Sequence, residues 1–260
     1  MKSPNTATSG KAGLDISALR RRVGLPADGD PSGSNNHARI LRRWAVAHRP
    51  FGPTRTTLLQ AIASRMSAFA GPCTAGYETL ATDTSLSSSA VYEHVGAAVP
   101  AGQLYRGTAE NRRSPSLTVT VDPTDEERSA LYGVWTGGGM EEPEEQRTWL
   151  DTYRISGLPH GQLRLLWEVH LRRADLPTSA IGTALSIALN WNGSGQPYRR
   201  LTTATLAAWS GYSAETVSDR IRDLEAAGWL WVQRHRGANG GLEPWLRIPA
   251  DAMNAIQWWD

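Results

Sequence analysis

Past residue 36, apolar residues recur every three or four positions, and Gly or Pro closes most of these runs. Ile40, Leu41, Trp44 and Ala47 share one face of a helix expected over 37–48, which Pro50, Gly52 and Pro53 stop. Leu58, Leu59, Ile62 and Met66 predict a second helix over 54–70. Two shorter helices follow, over 77–84 and 87–99. The period then drops to two. Residues 103–108 and 116–121 alternate apolar and polar positions, so they predict two strands of a hairpin whose polar tip carries Asn111, Arg112 and Arg113.

The order then returns. Leu163, Leu166, Trp167 and Leu171 mark a helix over 161–173, and further helices are expected over 178–191, 202–210 and 213–227. Strands over 229–234 and 245–248 follow, with a Gly-rich tip over 237–241 between them. The middle stretch is acidic. Asp122-Pro123 and Glu142-Pro143 put Pro at first helical positions, so two short helices are expected on either side of Gly137-Gly138-Gly139, the best hinge. Residues 1–36 lack periodicity apart from a short basic run over 14–23 and are expected to form a disordered arm.

One segment of each half matches the other position by position. Thr79 to Tyr105 aligns with Thr205 to Trp231 without a gap, because 205 − 79 = 126 and 231 − 105 = 126. Leu80 meets Leu206, Ser87 meets Ser213, Val91 meets Val217, and Ala101-Gly102 meets Ala227-Gly228. Such self-similarity means one folding unit written twice. In the second copy Leu206 and Ala207 face inward, Gly211-Tyr212-Ser213 turns the chain, and Val217, Ile221 and Leu224 form the next buried stripe. Small residues beside the turn let two helices cross steeply and leave the outer face of the second one protruding. Ser87 and Ser213 are good N-caps for that protruding helix.

Residues 216–230, Thr-Val-Ser-Asp-Arg-Ile-Arg-Asp-Leu-Glu-Ala-Ala-Gly-Trp-Leu, resemble the recognition helix and following strand of winged-helix regulators of the GntR and MarR type. Together with the small apolar run 184–190 and the polar loop 193–196, they are also similar to helix-turn-helix segments of plasmid replication initiators. The fold class implied is mainly α with small β-wings (α+β), as two winged helix-turn-helix domains in tandem. The expected organisation is a basic arm over 1–36, a first winged helix over 37–121, an acidic helical linker over 122–159 and a second winged helix over 160–260.

A protruding helix of this kind fits the major groove, where side chains reach base edges. The outward positions expected to do so are Ser88, Ser89 and Tyr92 in the first copy, and Glu215, Thr216, Ser218, Asp219 and Arg222 in the second. Many winged-helix proteins of the families it resembles carry Arg or Lys early in this helix, whereas this chain has Glu93, Glu215 and Asp219. Those carboxylates suit a helix N-terminus and can accept from cytosine, but they repel phosphate. Affinity therefore falls to Arg106, Arg112 and Arg113 on the first wing, to Arg234, His235 and Arg236 on the second, and to Arg199, Arg200 and Thr202 before a helix start. Arg20 to Arg22 and Arg42-Arg43 are open between a minor-groove arm and a solvated basic segment.

Composition narrows the picture only slightly. A length of 260 residues suits two domains with connecting material, and a net charge of +2 permits nucleic acid without demanding it. The single Cys73 cannot form an internal disulfide, and with the six His it shows no metal-ligand spacing. No phosphate loop, nucleophile elbow or HExxH is present, so neither catalysis nor a metal or other cofactor is expected. No signal-peptide pattern opens the chain, and the longest apolar stretch, over 181–191, is too short for a bilayer. Most of the 11 Trp sit beside apolar neighbours and are expected to fill cores. The expectation is a cytoplasmic protein, nucleoid-associated when bound, whose partner is double-stranded DNA. A homodimer stays open. Three functions fit: a transcriptional regulator at an operator, a plasmid or phage replication or partition initiator on repeated origin sites, and a winged-helix scaffold for protein partners.

Overall fold

The computed structural model describes residues 42–49, 51–66, 72–107, 116–122, 124–125, 139–152, 162–191, 195–237 and 240–255. The expected basic arm, the first hairpin tip with Arg112 and Arg113, and Gly137 and Gly138 lie outside them. The chain mixes helices with two small antiparallel hairpins, as the pattern predicts. A helix over 42–47 (α1) precedes α2 (Pro53–Arg65), α3 (Tyr77–Thr84) and α4 (Ser88–Ala98), and then β1 (Leu104–Gly107) pairs with β2 (Ser116–Val119). After α5 (Glu144–Thr152) and α6 (Gln162–Leu171), the order recurs as α7 (Thr178–Ala188), α8 (Thr203–Ser210) and α9 (Ala214–Ala226). The hairpin of β3 (Leu230–His235) and β4 (Gly241–Leu246) follows, and then α10 (Ala250–Ala255).

Each unit also has a third strand position that no periodicity announces. Cys73 and Leu117 exchange backbone hydrogen bonds of 2.7 and 2.8 Å, and Leu201 and Leu242 do the same at 2.8 and 2.7 Å. A lone bridging residue has no pattern to read. Its effect is to tie the segment after α2, or after α7, to the returning strand of the hairpin. That returning strand in the second unit begins at Gly241, earlier than the expected 245–248, with Val232 opposite Pro244. Pro244 hid it, since Pro gives no N–H to a ladder. Its carbonyl accepts the Trp191 indole N–H at 2.6 Å instead.

Two cores form. Leu58, Leu59, Ile62, Leu80, Val91 and Leu104 centre the first. The second is built on Trp167, Trp191, Leu206, Val217, Ile221 and Leu224, with the Trp167 ring meeting that of Trp191 edge-on at 4.8 Å. Trp44, Trp209, Trp229 and Trp245 are buried too, so these rings do fill cores.

The two cores meet across residues on either side of the expected limits. Helix α1 is shared, with Val46 in the first core and Trp44 and Ala47 in the second. Arg43, expected as a solvated or arm residue, is 2% exposed and bonds to Glu168 of α6. Within the stretch expected to be a linker, α5 packs on the second unit: Leu150 joins its core and Gln146 Nε2 donates to the Leu246 carbonyl at 2.9 Å. Helix α2 is buried on both sides, because its polar face lies on α7. Thr57 and Ser64 on that face bond back to Pro53 and Ala61 carbonyls at 3.0 and 2.8 Å, which removes most of the cost of burying them.

Candidate nucleic-acid interface

The turn between the second and third helix of each unit is built the same way from different residues. Helix α3 ends in Ser85 at φ +52 and α8 in Gly211 at φ +78, both left-handed. Gly reaches that region without strain, whereas Ser has a Cβ to accommodate. Two residues on, Ser87 Oγ accepts from the Ala90 N–H and Ser213 Oγ from the Thr216 N–H, each at 3.1 Å, so both expected N-caps are in place. Val91, Val95 and Ala98 then turn inward from α4, and Val217, Ile221 and Leu224 from α9. The opposite faces are left outward.

On α4 that outward face is Ser88, Ser89, Tyr92 and Glu93, all exposed. Tyr92 is 60% exposed and rests edge-on against Tyr77 at 5.8 Å, and the Arg106 guanidinium lies 6.0 Å from the same Tyr77 ring. The first unit thus brings its expected helix residues and Arg106 of its hairpin around one aromatic pair. Tyr105, 62% exposed on β1, belongs with this surface. It was legible as the outward partner of Leu104 in the alternating strand, but a search for cations passes over it.

The second unit differs. Ala214, Glu215 and Arg222 are exposed on α9, while Thr216, Ser218 and Asp219 are only partly so. Thr216 Oγ1 is 2.9 Å from the Ser213 hydroxyl, so it belongs to the helix cap. Thr202 is likewise a cap, accepting from the Thr205 N–H at 3.0 Å. Several residues expected to touch DNA, Arg222 at base edges and Arg234 and His235 at phosphates, are paired inside the chain. Arg222 bonds to Asp219 at 2.5 Å, Arg234 forks onto both oxygens of Glu225, and His235 meets Glu243. The Glu225 hydrogen bond pushes the Arg234 guanidinium pKa further up. This fork locks β3 against the end of α9. Arg236 is exposed and makes no ion pair with a described residue. Arg199 and Arg200 are exposed as well, with the Arg199 guanidinium 5.7 Å from the Trp209 ring. Arg112 and Arg113 lie outside the described residues.

Elsewhere the reactive groups are quiet. Cys73 is buried, and burial pushes its thiol pKa up. No group of His, Cys, Asp and Glu among the described residues could hold a metal ion. No described helix is long and apolar enough to cross a membrane. No protein-family model, curated protein or solved structure matches the chain.

Proposed function

We propose that this chain is a double-stranded-DNA-binding protein of two winged helix-turn-helix units, acting in the cytoplasm as a transcriptional regulator at an operator. The observation that carries the reading is the double occurrence of one arrangement. In each unit a left-handed residue closes one helix, a serine caps the next, and that helix keeps an outward polar face beside a hairpin. A helix held out in this way fits the major groove, with the hairpin alongside for the backbone. The test is retention of duplex DNA by the full chain across a salt series. A linear fall of log affinity with log salt supports the reading, because each phosphate contact releases counterions. Selection of bound fragments from a genomic pool then finds the site.

The paired cations favour a second reading, a scaffold for protein partners. Arg222, Arg234 and His235 are engaged by Asp219, Glu225 and Glu243, which lowers the positive potential the second unit offers to phosphate. Flat salt dependence or absence of DNA retention would select it.

A further inference from the structure

The leading helices of the two units, α2 and α7, pack on each other, and where they cross Gln60 Nε2 lies 3.5 Å from Ser186 Oγ. Those residues are 126 apart, since 186 − 60 = 126, and the helices that carry them start 125 apart, at Pro53 and Thr178, so they hold the same position in the two copies to within one residue. A position that meets its equivalent lies close to a rotation axis relating the copies, as at a two-fold; copies related by simple translation cannot make that contact.

Contacts away from the axis agree. Thr178, at the start of α7, donates through Oγ1 to the carbonyl of Ser85, the left-handed end of α3, at 3.0 Å. The counterpart of Ser85 is Gly211, since 85 + 126 = 211, and the counterpart of Thr178 is residue 52, one before Pro53. Gly211 does lie on Pro53: a Cβ there would come within 3.2 Å of the Pro53 Cα. Each unit's turn therefore abuts the start of the other's leading helix, to within one residue. Reciprocity of this kind marks an isologous interface, here within a single chain.

The axis has a consequence for reading DNA. Ser85 and Gly211 each precede an N-cap, Ser87 or Ser213, by two residues. Both outward helices therefore start at the same end of the axis, where their first turns can face one duplex. Two readers related by a two-fold axis meet the two halves of a site in inverted sense. The readers are not identical, however: Ser88, Ser89 and Tyr92 stand where the other unit has Ala214, Glu215 and Ser218.

We propose that the target is an inverted pair of half-sites of unlike sequence, bound by one chain in a single orientation. The proposal rests on the DNA-binding reading. It excludes head-to-tail repeats as the element bound by one chain.

The test starts with duplexes enriched from a random pool by the full chain. From the best of them, a second duplex is made with one half-site reversed at unchanged spacing, which turns an inverted site into a direct one. Binding to it should weaken about 100-fold, because several base pairs become mismatched at once and each costs roughly 5-fold or more. Two surface variants then map the halves: Ser89→Ala with Tyr92→Ala, and Glu215→Ala with Ser218→Ala. Each should relax base preference in a different half, at mirrored distances from the centre. Equal or tighter binding to the direct arrangement, or relaxation of the same half by both variants, overturns the proposal and leaves the DNA-binding reading standing. A pool in which nothing is enriched rejects the DNA-binding reading itself and the proposal with it.

Discussion

Arg43 Nη1 donates to Glu168 Oε1 at 2.6 Å, joining the helix before the first unit to the helix before the second in a setting almost free of water. Glu168 also accepts from Arg164 Nε at 3.1 Å. Other guanidinium donors go to carbonyl and hydroxyl oxygens, with Arg43 on Leu185, Arg164 on Trp191 and Arg172 on Ser64, while the buried Arg43 Nε makes no hydrogen bond with a described residue. Three buried arginines thus surround one carboxylate. Burial alone would raise the Glu168 carboxyl, yet Arg43, Arg164 and Arg172 hold it at about 2.

Because that value lies below the ordinary carboxylate value of about 4.3, the contribution of Glu168 is present at neutral pH and lost as pH falls from roughly 4.3 towards 2, on the order of 3 kcal/mol. Glu168→Gln should therefore cost about 3–5 kcal/mol at pH 7, leaving the buried Arg43 and Arg164 without the carboxylate that pairs with them. It should also flatten the acid limb of the stability curve. Urea midpoints at several pH values read both effects, and a variant whose midpoints track the parent in parallel down to acid would refute this account.

How far this was legible in the sequence depends on which neighbour decides each residue. Leu206, Val217, Ile221, Leu224 and the caps Ser87 and Ser213 answer to neighbours within their own unit, so spacing alone identified them. Arg43, Thr57 and Gln60 are buried by the other unit, at separations of more than 100 residues, and a polar face turned to a partner reads in sequence like a polar face turned to water. The outward residues of α4 and α9 were readable for the same local reason. The pairing of Arg234 with Glu225 was not, because it depends on how the hairpin leans on the helix.

The two turns give a reciprocal prediction. Gly211→Ala puts a Cβ on a left-handed residue and against Pro53, so it should destabilise by at least about 1–2 kcal/mol. Ser85→Gly relieves a left-handed Ser in the equivalent turn and should stabilise by a few tenths to about 1 kcal/mol. Thermal midpoints of both variants settle it. Destabilisation by Ser85→Gly would mean that the Ser side chain contributes more than its backbone strain costs.

Salt dependence separates the paired cations of the second hairpin from Arg236, which makes no ion pair with a described residue. Arg236→Ala should flatten the slope of log affinity against log salt by about 0.9, the contribution of one phosphate contact. Arg234→Ala should do less, since Glu225 already holds that guanidinium. Glu225→Gln weakens the fork, so it should tighten duplex binding and steepen the slope. Anisotropy titrations over a range of salt concentrations measure all three. If neither Arg236→Ala nor Glu225→Gln moves the slope, the second hairpin does not touch phosphate.

Severing the chain tests how the units are held together. A protease site introduced at Gly138 would break the covalent connection while leaving Arg43 on Glu168, Arg172 on Ser64, Gln60 on Ser186 and Thr178 on Ser85. Trp44 would also stay in the second core although it lies on the first fragment. The expected product is therefore a nicked complex that stays together. After cleavage, light scattering on a sizing column should return the mass of the intact chain, and duplex binding should be close to that of the uncut protein. Arg43→Ala in the cut protein should release the halves, because losing one partner of a buried pair costs about 3–5 kcal/mol, roughly two to four orders of magnitude in the dissociation constant. Halves of the unmutated chain that separate at micromolar concentration would show that the contact between α2 and α7 depends on the covalent connection, and the two-fold arrangement of the readers could not then be a property of their interface.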